Sequence, residues 1–191
     1  RQTSGFTQPV PVTAVTTAEL FDLAPGSTIS AQLEALPQFF GNQTLENSNV
    51  TLTSQSGTSS LDLRNLSGNR TLVLFDGYRV VPSSKEGTVH VDFFPTALVR
   101  SVDVVTGGAS AAYGADAVGG VTNFVLDRQF EGLKFDASTG ITERGDGKRY
   151  NISLAGGRQF GDRLNVIGSF EKKFLDEFDR PVADVPQMKR V

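Results

Sequence analysis

The 191 residues contain no cysteine, one histidine, one methionine and no tryptophan. Without cysteine there is no disulfide framework, no zinc–thiolate site and no thiol nucleophile. A single histidine has no second imidazole to complete a zinc site, so a resident metal or cofactor is not expected. With tryptophan missing, the fourteen phenylalanines are the main large apolar side chains. Excess positive charge is missing as well: 18 Lys and Arg stand against 21 Asp and Glu, a net charge of −3, which argues against a nucleic-acid partner held through phosphates. No run approaches the ~18 apolar residues of a spanning helix. That leaves a transmembrane β-barrel open, because barrel strands alternate and their averaged hydropathy stays low. The chain starts at Arg1 with neither an initiator methionine nor an apolar leader, so it is expected to be a piece of a longer, processed polypeptide.

Read in order, residues 1–11 are polar with Pro9 and Pro11, an extended entry segment. A short strand is expected over 12–15, and Thr16 or Thr17 is placed to cap a brief helix through Phe21. Pro25 and Gly26 break the chain. Ser27 is a candidate cap for a second helix, in which Ile29, Leu33 and Leu36 form one stripe before Pro37 ends it. Residues 40–60 are polar and aperiodic, a long loop of the binding or the linker kind. Leu61, Leu63 and Leu66 suggest a strand ending near Ser67 and Gly68. Residues 70–75 read as a buried strand, Asp76–Gly77 as a hairpin turn and 78–81 as its partner. Residues 82–87 form a second polar loop with Lys85 and Glu86. Val89, Val91 and Phe93 alternate with His90 and Asp92 as in a strand. Pro95 starts a short helix ending near Val99, 102–105 is a strand, and another strand is expected over 118–126. Between them residues 106–123 are rich in glycine and alanine, suited to tight turns and close backbone approach. The sum is an α+β unit.

After Gly132 the pattern changes. Leu133, Phe135, Ala137, Thr139 and Ile141 alternate with Lys134, Asp136, Ser138 and Gly140, and a turn follows at 145–147. Tyr150, Ile152 and Leu154 alternate with Asn151, Ser153 and Ala155. After a turn at Gly161–Asp162, Leu164, Val166, Gly168 and Phe170 alternate with Asn165, Ile167, Ser169 and Glu171, Ile167 breaking the polar face. Three segments with one apolar and one polar face fit outer-membrane barrel strands and equally a soluble antiparallel sheet with one wet face. Residues 174–191 are charged, contain Pro181 and Pro186, and read as a loop. Lys172–Lys173 and Lys189–Arg190 read as solvated charge.

Tests for chemistry are mostly negative. Gly114 and Gly119 have phosphate-loop spacing, but Gly120 and Val121 stand where Lys and Ser/Thr are needed. His90 and Asp92 share a face beside Ser83 and Ser84, yet there is no nucleophile elbow. An enzyme built on His90 is therefore the third-ranked reading, and no catalytic or metal-binding residue is assigned.

The segments 64–81 (RNLSGNRTLVLFDGYRVV) and 94–126 (FPTALVRSVDVVTGGASAAYGADAVGGVTNFVL) resemble the plug of TonB-dependent outer-membrane receptors. The order of elements matches from about Pro9 to Leu126. The resemblance implies an α+β plug domain over 1–131, followed over 132–191 by the first three antiparallel transmembrane β-barrel strands and an extracellular loop. The barrel is incomplete in this chain, since three strands cannot close one. In that topology 133–143 runs outward, 148–158 runs inward, 159–163 is a periplasmic turn and 174 onward lies outside. The implied function is import of a scarce small-molecule ligand across the outer membrane of a Gram-negative bacterium. The TonB complex would act through an N-terminal box that residues 1–15 do not copy, and the other partners are outer-membrane lipid and the remaining barrel strands.

By position, two apical plug loops map to Gln55, Ser56, Thr58 and Ser59, and to Ser83, Ser84, Lys85, Glu86, Thr88 and His90, as ligand contacts. Arg64 falls on a commonly basic plug–barrel lock position. Thr106-Gly107-Gly108 departs from the Arg-Gly-Pro of many relatives, so the lock is expected to rest more on Arg64. Asp76, Gly77, Gly107, Tyr113, Gly114, Gly119, Gly120 and Asn123 carry the structural plug motif, with Tyr113 as a packing anchor and Asp116 as a turn or hydrogen-bond residue. The ligand itself is not readable. The competing interpretation is a soluble or periplasmic α+β ligand-binding module that transports nothing.

Overall fold

The computed structural model describes residues 11–24, 28–44, 58–140, 148–161 and 164–175. The candidate cap Ser27, the break at Pro25–Gly26, the loop 45–57 with Gln55 and Ser56, the turn at 145–147 and the segment beyond Leu175 lie outside the described residues, as do residues 1–10.

Strand β1 (Val12–Thr16) leads directly into α1 (Thr17–Leu23). The junction is a full capping box: the Glu19 N–H donates to the Thr16 hydroxyl at 3.3 Å, and the Thr16 N–H donates to the Glu19 carboxylate at 2.7 Å. Two of the helix's orphan donors are satisfied in this way. Helix α2 (Ile29–Glu34) starts at Thr28 without a side-chain cap and buries Ile29 and Leu33. Strands β2 (Thr71–Phe75), β3 (Tyr78–Arg79), β4 (Val99–Val105) and β5 (Gly120–Leu126) complete a five-stranded sheet of order β1-β4-β5-β2-β3. Only β2 and β5 run parallel; the other pairs are antiparallel. A bulge between Val99 and Ser101 shifts the β4–β5 register, and the Thr17 hydroxyl donates to the Val99 and Arg100 carbonyls there.

Both faces of this sheet are covered. On one, Val73, Val102, Val104 and Phe124 pack with Leu20, Leu33, Leu61, Leu63 and Val91, and Phe94 stacks between Phe75 and Phe124 at 4.9 Å from each. On the other, Leu72, Leu74 and Val121 meet Ala109 and Ala117 from α3 (Ala109–Tyr113) and the turn after it. The small side chains of the 106–123 stretch let this second layer lie close to the strands.

Four readings of the sequence need correction. Leu61 and Leu63 are buried but form no strand: Leu63 makes an isolated bridge to Phe39, and Arg64, Asn65 and Ser67 all have positive φ and turn the chain away. Alternating residues 89–93 are not a strand either: Val91–Phe93 is a 3-10 turn with Val91 buried and Phe93 79% exposed. The hairpin partner of β2 is two residues long rather than four, and β5 starts at Gly120 rather than Val118.

The second sheet is an antiparallel meander of β6 (Gly132–Gly140), β7 (Arg149–Phe160) and β8 (Leu164–Leu175) in that order. Its register aligns Phe135, Leu154 and Phe170 in one row and Asp136, Ser153 and Glu171 in the next. The first row is exposed; the second faces the α+β unit, where Ser153 and Ala155 are buried.

Candidate functional site

The glycine–alanine stretch and the hairpin turn form one structural unit. Asp76 and Gly77 have φ of 53° and 84°, the geometry of a type I′ hairpin. Asn123 holds that turn by accepting the Gly77 N–H at 2.9 Å, and the Phe124 carbonyl accepts the Asp76 N–H at 2.7 Å. Asp76, Gly77 and Asn123 of the expected motif thus meet in space across 46 residues of chain. Asp116 serves as a hydrogen-bond residue, pairing with Arg79 at 2.7 Å. Among the described residues Tyr113 is not buried by packing. Its side chain is exposed, and its contribution is a backbone carbonyl that accepts from the Arg79 guanidinium. Gly107 and Gly114 both have φ of 89°. A Cβ at Gly119 would lie 3.1 Å and 3.2 Å from the Arg70 and Leu63 carbonyl oxygens, and at Gly120 only 2.5 Å from that of Val105.

The two loops placed by position as ligand contacts are brought together. Ser60 bridges to both Gln43 and His90. The Ser59 N–H and hydroxyl both donate to the Asp92 carboxylate at 2.7 Å, and the Val91 N–H donates to the Ser59 carbonyl. Ser59 and Asp92 are therefore committed to joining the loops. Thr58 begins the described part of the first loop. In the second, the Thr88 N–H donates to the Ser84 hydroxyl, whose oxygen lies 2.6 Å from that of Thr88, and the His90 N–H donates to the Ser83 hydroxyl. Lys85 and Glu86 are a loose surface pair at 3.7 Å. His90 makes no catalytic pair with Asp92, which Ser59 occupies. Its Nε2 is buried without a hydrogen-bond partner.

Beside these loops, Asp62 lines an open groove with Asn65, Ser67, Asn69 and Arg70. Burial pushes its carboxyl pKa up, partly offset by the Ser67 N–H that it accepts at 3.0 Å. Glu19 is shifted the other way, its pKa lowered by the Thr16 backbone and hydroxyl hydrogen bonds. Arg64 has φ of 61°, and its N–H donates to the Gln38 carbonyl. Its guanidinium lies beside Gly107, 3.9 Å from where a Cβ would stand. Arg64 and the Thr106-Gly107-Gly108 segment are therefore neighbours.

The contacts between the two sheets were not legible beforehand. The Thr96 hydroxyl lies 2.9 Å and 3.0 Å from the two carboxylate oxygens of Glu171 on β8. The Lys173 ammonium stands 3.2 Å from the same carboxylate and is largely buried, so Lys173 is not solvated charge. Lys172, one residue away, points to the opposite, apolar face opposite Ile152. In the linker, Arg128 pairs with Asp76 while its carbonyl accepts from Asn165 at 2.6 Å. The Phe130 carbonyl lies over Gly157, where a Cβ would come within 2.0 Å of it.

The opposite face of β6–β8 is apolar and exposed: Leu133, Phe135, Ile152, Leu154, Leu164, Val166 and Phe170 all show more than two-fifths of their surface. From Leu164 to Phe174 this face climbs ten residues of β8. At ~3.4 Å per residue and a tilt of ~40°, that is about 26 Å, matching the ~25 Å apolar band of a membrane barrel. Aromatic side chains stand at both ends, Phe160 at one and Tyr150 and Phe174 at the other. Arg158, with its guanidinium 5.4 Å from the centre of the Phe160 ring, and Lys172 lie near the ends, where long cationic side chains reach the interface.

Comparison with known proteins agrees with this anatomy. The model of the family described as TonB-dependent Receptor Plug Domain matches residues 5–121. Among solved structures, the siderophore receptor PirA from Pseudomonas aeruginosa superposes with a TM-score of 0.55 at 26% identity, over 88% of this chain and 28% of that one. A variant of the ferric enterobactin receptor PfeA from Pseudomonas aeruginosa gives 0.61 at 22% identity, over 89% and 26%. The ferric yersiniabactin uptake receptor FyuA from Yersinia pestis gives 0.53 at 23%, over 84% and 23%. The last two likenesses bear on fold alone. This chain spans about a quarter of the length of each of these receptors.

Proposed function

Because the chain belongs to the family of TonB-dependent receptor plug domains, we propose that it is the plug and first barrel wall of an outer-membrane importer in a Gram-negative bacterium, a transporter and not an enzyme. The observation that carries this reading is the pairing of a plug fold with a wall of two unlike faces. The polar face is packed against the plug, and the apolar face is of membrane height. An exposed apolar surface of this extent argues against the soluble-module alternative. We place the boundary between plug and wall at Glu131 and Gly132, where the linker crosses to β6.

The ligand would be taken at the joined loops. Ser83, Ser84, Lys85, Glu86, Thr88 and His90 supply hydroxyls, one charge of each sign and one imidazole nitrogen without a partner. Thr58, with Gln55 and Ser56 of the undescribed part, would flank them. Ser59 would act by fixing the loops through Asp92. Arg64, seated beside Gly107 and so next to Thr106, where many relatives carry arginine, is the candidate for an electrostatic plug–barrel lock. Import would follow when the TonB complex pulls on a box N-terminal to this region and rearranges the plug.

Ferric siderophores are the first ligands to try, since the receptor PirA, at 26% identity, is a siderophore receptor. The experiment is uptake of a panel of radiolabelled ferric siderophores by cells with and without the complete receptor, each with and without TonB. Uptake lost on removal of either component supports the reading. Soluble, periplasmic fractionation of the protein would overturn it.

A further inference from the structure

Charge is divided unequally between the two faces of the wall. On the face toward the plug, Lys134 stands 3.7 Å from Asp136 and Lys173 stands 3.2 Å from Glu171, so each cation has a carboxylate. The face away from the plug carries Lys148, Arg158 and Lys172, and no acidic side chain among the described residues. Arg158 lies over the Phe160 ring. Lys148 and Lys172 are exposed, and neither has an ion-pair partner among the described residues. They bracket the cross-strand pair of Tyr150 and Phe174. Lys172 is one outward-facing position inside that aromatic row, opposite Ile152, and Lys148 is one outward-facing position beyond it. Four residues of strand, ~14 Å, separate the two levels. An ammonium group beside hydrocarbon turns toward the nearest water, which carries that of Lys172 past the aromatic row toward Lys148 and the Tyr150 hydroxyl.

We propose that Lys148, Lys172 and Tyr150 form a docking site for a lipid-borne phosphate monoester, the headgroup chemistry of a phosphorylated glycolipid in the outer leaflet. Two ammonium groups offer donors and no acceptor, and the phenol adds a further donor, so the cluster suits an oxyanion. A phosphate monoester carries about 1.5–2 negative charges near neutrality, which the two lysines match, whereas a diester, the linkage of an ordinary phospholipid, carries about one. Charge-assisted hydrogen bonds from both sides hold such a group more firmly than one lysine could. The aromatic row stands where rings meet headgroups in a bilayer, so a lipid phosphate lies at the height of the lysines. In the topology that the plug resemblance implies, β7 starts at the outer rim, which selects the outer leaflet. The inference rests on the membrane-wall reading above.

The test uses the complete receptor in phosphatidylcholine bilayers, with benzoylphenylalanine in place of Phe174 as a photo-crosslinker to radiolabelled lipid. Bisphosphorylated lipid A, added as a minor component, should be captured in preference to phosphatidylglycerol, a diester. Unlabelled lipid A should compete for the site, and its dephosphorylated form should not. Below saturation, Lys148→Gln and Lys172→Gln should each lower capture of lipid A about fivefold, and the two together should lower it further. Lys172→Arg, which keeps the charge, should stay near the parent level. With phosphatidylcholine still captured, lipid A capture that is unchanged in the doubly substituted receptor, or that phosphatidylglycerol equals, would overturn the proposal and leave the wall in place. If position 174 captures no lipid of any kind, this rim does not meet the bilayer, and the wall reading fails together with the proposal.

Discussion

Replacing Gly120 by alanine should damage the plug far more than its one added methyl suggests. Gly120 has φ of +144°, where an L side chain is strained. The new Cβ would stand 2.5 Å from the Val105 carbonyl oxygen and 2.8 Å from Leu63 Cδ1. Neither neighbour can yield. Val105 is paired with Val121 in the β4–β5 ladder, and Leu63 is fully buried. Backbone strain of about 1–2 kcal/mol and overpacking of about 1–3 kcal/mol together give roughly 2–5 kcal/mol, a large part of a domain's ~5–15 kcal/mol. Two other glycines calibrate the argument. Gly77, with φ of 84° and no atom within 4 Å of an added Cβ, should lose only the strain. Gly168, with neither restriction, should be near neutral. The assay is urea unfolding of the plug in the complete receptor, with ligand affinity measured in parallel. Stability should fall in the order Gly168→Ala, Gly77→Ala, Gly120→Ala, and affinity should fall only where the plug no longer docks. A Gly120→Ala plug as stable as Gly168→Ala, or a stable, docked plug that has lost ligand, would refute the reasoning.

Thr16→Ala removes the capping box and should cost about 1 kcal/mol of plug stability by urea unfolding. Since Glu19 has its pKa lowered by Thr16, its stabilising contribution is present above pH 4.5 and lost as pH falls, and this slope should vanish in the variant. Asp62 behaves oppositely. Its pKa is raised by burial, so its contribution is fully present below pH 3.8 and lost as pH rises through the folded-state value. Asp62→Asn should therefore gain on the parent as pH rises above 3.8, and an unchanged pH profile would contradict the assignment. Leu154→Lys, in the middle of the apolar face between Phe135 and Phe170, should lower barrel stability in lipid vesicles by about 2–4 kcal/mol. Little or no effect would mean that this face does not meet hydrocarbon.

What the sequence revealed and concealed follows from the range of the forces involved. Period-two alternation located all three strands of the second sheet, because each has one face packed and one open. A cap at Thr16 or Thr17 and the hairpin turn at Asp76–Gly77 were legible because their chemistry is local, while the choice of Thr16 and its box with Glu19 came from the structure. Alternation misled at 89–93, where Val91 is buried by tertiary packing and the backbone is held by Ser59 and not by a ladder. The leucines at 61–66 misled for a related reason, since consecutive positive-φ residues end the extended run. No local signal marks Thr96, Glu171, Arg128 or Asn165 as cross-sheet partners, since each pair is separated by tens of residues. Lys173 read as ordinary surface charge, and only the register of β8 places it inward and Lys172 outward. A polar residue one step from a predicted lipid-facing position is the cue that was available for it.

The central claim is that β6–β8 are a membrane wall with the plug on one side and lipid on the other. The 191 residues contain no cysteine, so single cysteines at positions 164 to 171 can carry a fluorophore without background. With the complete receptor in bilayers of brominated lipid, quenching should alternate, strong at 164, 166, 168 and 170 and weak at 165, 167, 169 and 171. Quenching that is absent throughout, or that does not alternate, would contradict the account.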